Sequence, residues 1–198
     1  MTYDTFIALF GFAVATSITP GPNNFMLLAS GVNFGFRRTI PHMLGVAGGF
    51  WILSLAVGAG LGSLLSLVPS LYLALKIAGG AYLLWLAWKT ATTRSFGAAE
   101  AGPMRPMTFL QAAAFQWVNP KAWVMALTAM AMYVDPARPF VSVFLVAGVF
   151  ALVNLPTVSL WAGFGTALRG FLADPARLRR FNLAMGLLLA ATLWPMLK

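Results

Sequence analysis

The sequence predicts an all-α membrane protein: six transmembrane helices forming two inverted three-helix repeats, the first helix of each repeat broken by proline. Three observations lead there. The 198 residues are 60% hydrophobic and only 9% charged, with a mean hydropathy of +0.83, whereas a soluble domain carries about 25% charged residues. The apolar runs are continuous, while the strands of an outer-membrane barrel would alternate apolar and polar. The basic residues between the runs are strongly one-sided.

Apolar runs long enough to span fall at about 5–34, 43–65, 69–88, 108–132, 140–166 and 181–197. The first is too long. At about 1.5 Å per residue, an unbroken helix from Phe6 to Phe34 would reach roughly 43 Å, against a hydrocarbon core of about 30 Å. In its middle stands Thr19-Pro20-Gly21-Pro22-Asn23-Asn24. The two prolines lack backbone donors and their rings obstruct carbonyls one turn earlier. Gly21 permits a turn there at no steric cost. Irregular backbone at membrane depth is tolerated only inside protein or against a watery cavity, so this stretch is the first candidate site. Its mixture of amides, carbonyls and the side chains of Thr19, Asn23 and Asn24 suits a zwitterionic amino acid: amides for the carboxylate, carbonyls for the ammonium.

The second run carries Gly45/Gly49 and Gly58/Gly62 at four-residue spacing, together with Gly48 and Gly60. Small residues at that interval let helix backbones approach closely, so these glycines, like Gly79 and Gly80 in the third run, are expected to serve packing. His42, the single histidine, follows Pro41 at the entry to the second run; it reads either as a structural interfacial residue or as a proton relay or gate. The stretch from about 91 to 106 divides the chain near its midpoint, giving repeat one at about 1–90 and repeat two at about 107–198 of a single transmembrane domain. Three helices per half force the halves into opposite orientations.

The fourth run repeats the break of the first. Gln116-Trp117-Val118-Asn119-Pro120-Lys121 interrupts it at a similar depth, and paired interruptions in two halves are the best sequence pointer to a binding site. Lys121 is about 20 Å of helix from the nearer end of its span, and a lysine stem snorkels only from close to an interface. It is therefore expected to face the interior. There it could pair with a substrate carboxylate, titrate during transport, or cap carbonyls at the break. Asn154, beside Pro156 in the fifth run, is a further candidate for the same cavity, or else a helix–helix contact.

The loops set the orientation. Loop one has Arg37 and Arg38; loop three has Lys89, Arg94 and Arg105; loop five has Arg169, Arg177, Arg179 and Arg180. The even loops and both ends offer only Arg138 and Lys198, and Lys76 and Lys121 lie within runs. Loops one, three and five are thus expected in the cytoplasm and both termini outside. The net charge of +9 then records topology, and no basic stripe interleaved with aromatics suggests nucleic acid. No Lys or Arg precedes the first run, so no cleavable signal peptide is expected.

Several functions are excluded. The chain has no cysteine, which rules out a membrane thiol–disulfide conduit. The four acidic residues, Asp4, Glu100, Asp135 and Asp174, all fall at ends or loops, leaving no carboxylate pair for catalysis and no cluster for a metal or a metal exporter. Neither an enzyme nor a cofactor is expected. An accessory subunit of a larger membrane complex remains an alternative, although two broken helices would serve no purpose in it.

Pro20-Gly21-Pro22-Asn23, the following Gly31 and Gly35-Phe36-Arg37-Arg38, the glycines opening run two, and Asn119-Pro120-Lys121-Ala122 resemble the LysE/RhtB family of amino-acid exporters. The resemblance covers the whole chain. Asn23-Asn24-Phe25-Met26 and Trp85-Leu86-Ala87-Trp88-Lys89 look closest to its cysteine and O-acetylserine branch. It implies export of neutral amino acids or close derivatives across the bacterial inner membrane, driven by the proton-motive force. The partners would be the substrate and the lipid bilayer; a homo-oligomer is left open. One departure concerns coupling: with no carboxylate in the membrane, the only proton carriers in view are Lys121 and His42.

Overall fold

The computed structural model describes residues 1–62, 67, 69–94, 96 and 105–194. Among them are eight α-helices and no strand: α1 (Tyr3–Ile18), α2 (Pro22–Phe34), α3 (Phe36–Ala56), α4 (Pro69–Ala91), α5 (Phe109–Gln116), α6 (Pro120–Tyr133), α7 (Pro139–Ala167) and α8 (Pro175–Ala191). Glu100 and Lys198, used in the charge arguments, lie outside the described residues.

Helix boundaries follow local chemistry. Pro22, Pro120, Pro139 and Pro175 each open a helix at a position whose missing N–H would have had no intrahelical partner. Thr108 and Gln111 form a reciprocal capping box on α5. Asp174 caps α8 by accepting the Arg177 N–H at 2.9 Å, which holds its carboxyl below the usual carboxylate range. Gly35, at φ 81°, lets α2 turn directly into α3, and Gly60, at φ 106°, sits in a π-helical turn over Val57–Leu61 that ends α3. Both angles fall where a Cβ is strained.

The surface is far more apolar than that of a soluble protein, and several polar side chains are buried. Phe140, Leu152, Leu110 and Trp88 are between 67% and 82% exposed, while Gln116, Asn119, His42 and Asn182 are at most 1% exposed. Water would penalise such a surface, whereas lipid tails would not. Phe36–Leu61 and Pro139–Ala167 are long and apolar enough to cross a membrane, and α1 with α2 makes a third candidate bent by 56° at the break. The expected runs at about 69–88, 108–132 and 181–197 correspond to α4, α5 with α6, and α8. Of these helices α5, α6 and α8, at 8, 14 and 17 residues, are each shorter than the two long spans.

The main core joins Leu9 and Ala13 of α1, Phe50 and Leu53 of α3, Trp123 and Ala126 of α6, and Val146 and Phe150 of α7. Gly45, Gly49, Gly58, Gly62 and Gly79 pack helices as the sequence suggests, whereas Gly60 faces nothing within 4 Å and is explained by its positive φ instead. A Cβ on Gly49 would lie 2.5 Å from the Ala113 Cα, and one on Gly45 would strike the Phe109 carbonyl. A pair in α2 and α7 is closer still: Gly31 lies against the Ala162 carbonyl, and Gly165 against that of Leu28. Each helix thus seats a backbone oxygen where the other lacks a side chain. The basic loop ends converge, with Arg169 within 3.0 Å of a Cβ on Gly35 and over the Phe96 ring at 5.3 Å.

Candidate functional site

The two breaks meet. Between α1 and α2, Thr19 and Pro20 leave helical geometry, so the carbonyls there lack partners from their own helices. Lys121, the second residue of α6, reaches across with its Nζ to donate to the Thr19 carbonyl, and more distantly to Pro20 O at 3.4 Å. Asn23 Nδ2 donates to Gln116 Oε1 at 2.8 Å, and Gln116 Nε2 returns a bond to Asn23 Oδ1 at 3.1 Å. Each side of the join therefore satisfies polar groups exposed by the other.

Local bonds stiffen both edges. Asn24 Nδ2 donates to the carbonyls of Ser17 and Thr19, both at 2.9 Å, drawing the end of α1 over the start of α2. Asn119 caps α6, its Oδ1 accepting the Lys121 N–H at 3.1 Å. Gln116 Nε2 also donates to Ala112 O at 2.9 Å within its own helix. Such a network is held tightly because every group left unpaired at this depth would be expensive.

Gly21 is explained differently from the sequence expectation. Its backbone is extended, at φ 178°, which any residue adopts, so no special turn requires glycine. What requires it is Lys121: a Cβ on Gly21 would stand 2.8 Å from the Lys121 Cδ. The missing side chain is the channel through which the lysine reaches the carbonyls.

A narrow, open crevice lies beside this join, lined in part by Gly21, Asn23, Asn24, Asn119, Lys121 and Asn154. Asn154 is thus on the cavity, as one of its two sequence readings had it, and Gln116 adjoins it through Asn23. Pro22 and Pro120 stand at the helix starts, setting the direction of each α-helix rather than presenting polar atoms. His42 is not here; it lines a second cavity, nearer the far end of α2. Sequence reasoning missed Thr16, Ser17, Phe50 and Met125 on the crevice wall. Ser17 has a signal of its own, being a hydroxyl three residues before a proline break. Its Oγ is buried without a hydrogen-bond partner. Among the described residues no group of His, Cys, Asp and Glu could hold a metal.

Apolar helices that bury their polar side chains around a paired break have the build of a membrane transport protein. The chain belongs to the LysE family: it matches the LysE type translocator family over residues 14–192, which makes it a transporter and not an enzyme. It is 33% identical over 195 residues to the cysteine/O-acetylserine efflux proteins of Escherichia coli K12 and of Shigella sonnei Ss046. Each alignment covers 96% of this chain and 95% of the relative. No solved structure matches the chain.

Proposed function

We propose that the protein exports neutral amino acids or close derivatives from the bacterial cytoplasm across the inner membrane, coupled to the proton-motive force. The observation that carries this reading is the junction of the breaks: Lys121 on the Thr19 and Pro20 carbonyls, and Asn23 paired with Gln116. The printed names of the relatives, efflux proteins for cysteine and O-acetylserine, support a small amino acid as cargo.

The chemistry of the crevice fits a zwitterion. The Lys121 ammonium occupies carbonyls that would otherwise suit a substrate ammonium. A substrate carboxylate entering the crevice would draw Lys121 to itself, freeing the Thr19 and Pro20 carbonyls for the substrate's own ammonium. One charge replaces another and the carbonyls are never abandoned. Thr19, Pro20, Gly21, Asn23, Asn24, Gln116, Asn119, Lys121 and Asn154 are the residues we assign to this site, with Pro22 and Pro120 aiming the helix starts.

Transport would proceed by alternating access between two inverted halves of three spans, at about 1–90 and 107–198. The packing of α3 on α7 and of α4 on α8 is consistent with such a pseudo-two-fold. The convergence of Gly35, Phe96 and Arg169 supports a cytoplasmic basic end with both termini outside. Lys121 and His42 are the groups that could carry the coupled proton.

The test is release of preloaded labelled amino acids from cells with and without the protein. The panel comprises cysteine, O-acetylserine, serine, threonine, leucine and lysine. Faster loss of small neutral members is expected. Equal loss of every member overturns the exporter reading, and leaves the accessory-subunit alternative.

A further inference from the structure

The second cavity has properties of its own. It is an open hollow lined by residues of α2, α3 and α4 and by Arg105, Pro106 and Met107. His42 lines it, 1% exposed, and both ring nitrogens are buried without a hydrogen-bond partner. At any protonation state a histidine ring carries at least one N–H, and leaving it unpaired costs about 1–3 kcal/mol. A membrane helix would not keep such a group for packing when Leu or Met would fill the same space.

The rest of the lining selects the ligand's charge. Arg105 and Lys89, the latter with its ammonium 4.9 Å from the centre of the Trp85 ring, stand on the wall, and among the described residues no acidic one does. Asn33, also on the wall, has its amide engaged: Nδ2 donates to Ala29 O at 2.8 Å and to Asn182 Oδ1 at 3.0 Å, while Asn182 Nδ2 returns a bond to Asn33 Oδ1 at 3.3 Å. The Asn33–Asn182 pair is therefore a spent platform, and what remains on offer is cationic or donating. Met26, Leu86 and Met107 supply an apolar wall for a short side chain.

We infer that this chamber is a second binding site, which takes the carboxylate of a small amino acid between Arg105, Lys89 and the His42 ring. It is separate from the crevice at the breaks. α2 serves both, with Gly21, Asn23 and Asn24 on one and Met26, Ala29, Ser30 and Asn33 on the other. Met26 packs on Leu83, Leu86 and Phe115, the neighbour of Gln116, so an apolar plug stands between them. That the chamber is the loading site for export, and that the carboxylate it takes belongs to an amino acid, rest on the function and orientation proposed above; that its ligand carries a carboxylate does not.

The single histidine makes the test direct. Tag-free protein in lipid nanodiscs, labelled with 15N-histidine, gives ring resonances from His42 alone. Titration with O-acetyl-L-serine is expected to shift them saturably. Arg105→Gln, a change at an exposed position, should weaken that binding roughly tenfold, as loss of one charge-assisted bond does, with unchanged thermal unfolding. Lys121→Ala should leave the shift in place, and serinol, which lacks the carboxylate, should produce none. Three results overturn the inference: no shift at saturating ligand, a shift abolished by Lys121→Ala but indifferent to Arg105→Gln, or an equal shift with inorganic phosphate. A shift without efflux in the cellular assay keeps the chamber and removes the exporter reading; efflux without a shift does the reverse.

Discussion

Asn23 and Gln116, 93 positions apart in the chain, exchange two hydrogen bonds of 2.8 and 3.1 Å across the meeting point of two broken helices. Each amide uses its donor and its acceptor on the other. Gln116 Nε2 has a second acceptor in the Ala112 carbonyl at 2.9 Å, but its Oε1 is paired only across the join.

Replacing either residue strands the other. Asn23→Ala leaves Gln116 Oε1 unpaired at a site that is fully buried, a loss of about 1–3 kcal/mol. Each single variant should slow export roughly tenfold with normal membrane insertion. The double variant Asn23→Ala/Gln116→Ala should cost less than the sum of the two, and a double-mutant cycle on efflux rate measures the difference. Additive effects would place the two amides in separate roles.

Lys121→Ala should abolish export while the protein still inserts, because the Thr19 carbonyl and the substrate carboxylate lose the same partner. Lys121→Met separates the two losses, since it keeps the stem that passes Gly21. If the stem alone matters, Lys121→Met will export at the wild-type rate. Gly21→Ala should resemble Lys121→Ala in transport, since its Cβ would meet the Lys121 Cδ at 2.8 Å.

The helix contacts give a stability prediction. Gly31→Ala and Gly165→Ala each drive a methyl into a backbone carbonyl of the facing helix, and overpacking of this kind costs about 1–3 kcal/mol. Gly148→Ala, in α7 with nothing within 4 Å of its Cβ, should be neutral or stabilising through helix propensity. Thermal unfolding in detergent will separate the two classes.

Orientation is open to labelling because the chain has no cysteine. Thr2→Cys should react with a membrane-impermeant maleimide on intact spheroplasts, and Arg179→Cys only after the membrane is opened. The opposite pattern would invert the exporter's direction in the membrane, and with it the loading side assigned to the second chamber.

The sequence was most legible where the physics is local. Proline positions at 20, 22 and 120 marked the breaks because a missing N–H and a fixed φ act on the chain wherever it goes. The four-residue glycine spacing at 45 and 49 marked a packing face for the same reason. Gly31 and Gly165 carry a still tighter contact, but their partners, Ala162 for the one and Leu28 for the other, lie on the facing helix far along the chain. No window along the chain displays that reciprocity. Ser17 and Phe50 were missed on the crevice wall because an apolar or hydroxyl residue inside a helix gives no sign of which neighbour it faces.

His42 shows the limit most clearly. A lone histidine after a proline suggests an interface, and only the packing around it reveals two ring nitrogens buried beside a cationic cavity. Lys121 shows the complementary case. Its depth in an apolar run argued that it face inward, and the fold brings its ammonium onto the carbonyls of Thr19 and Pro20, a partner the sequence could not name. By itself, then, the sequence determined the helical class and the paired breaks, because transfer energies and proline sterics act residue by residue; it did not single out Asn33 and Asn182, which are buried and bonded to each other. Which polar groups pair, and which are left open to a ligand, was decided by tertiary structure alone. Hydrogen bonds between Asn23 and Gln116, or from Lys121 to Thr19, are properties of distance in space, and about a hundred residues of chain must fold before that distance exists.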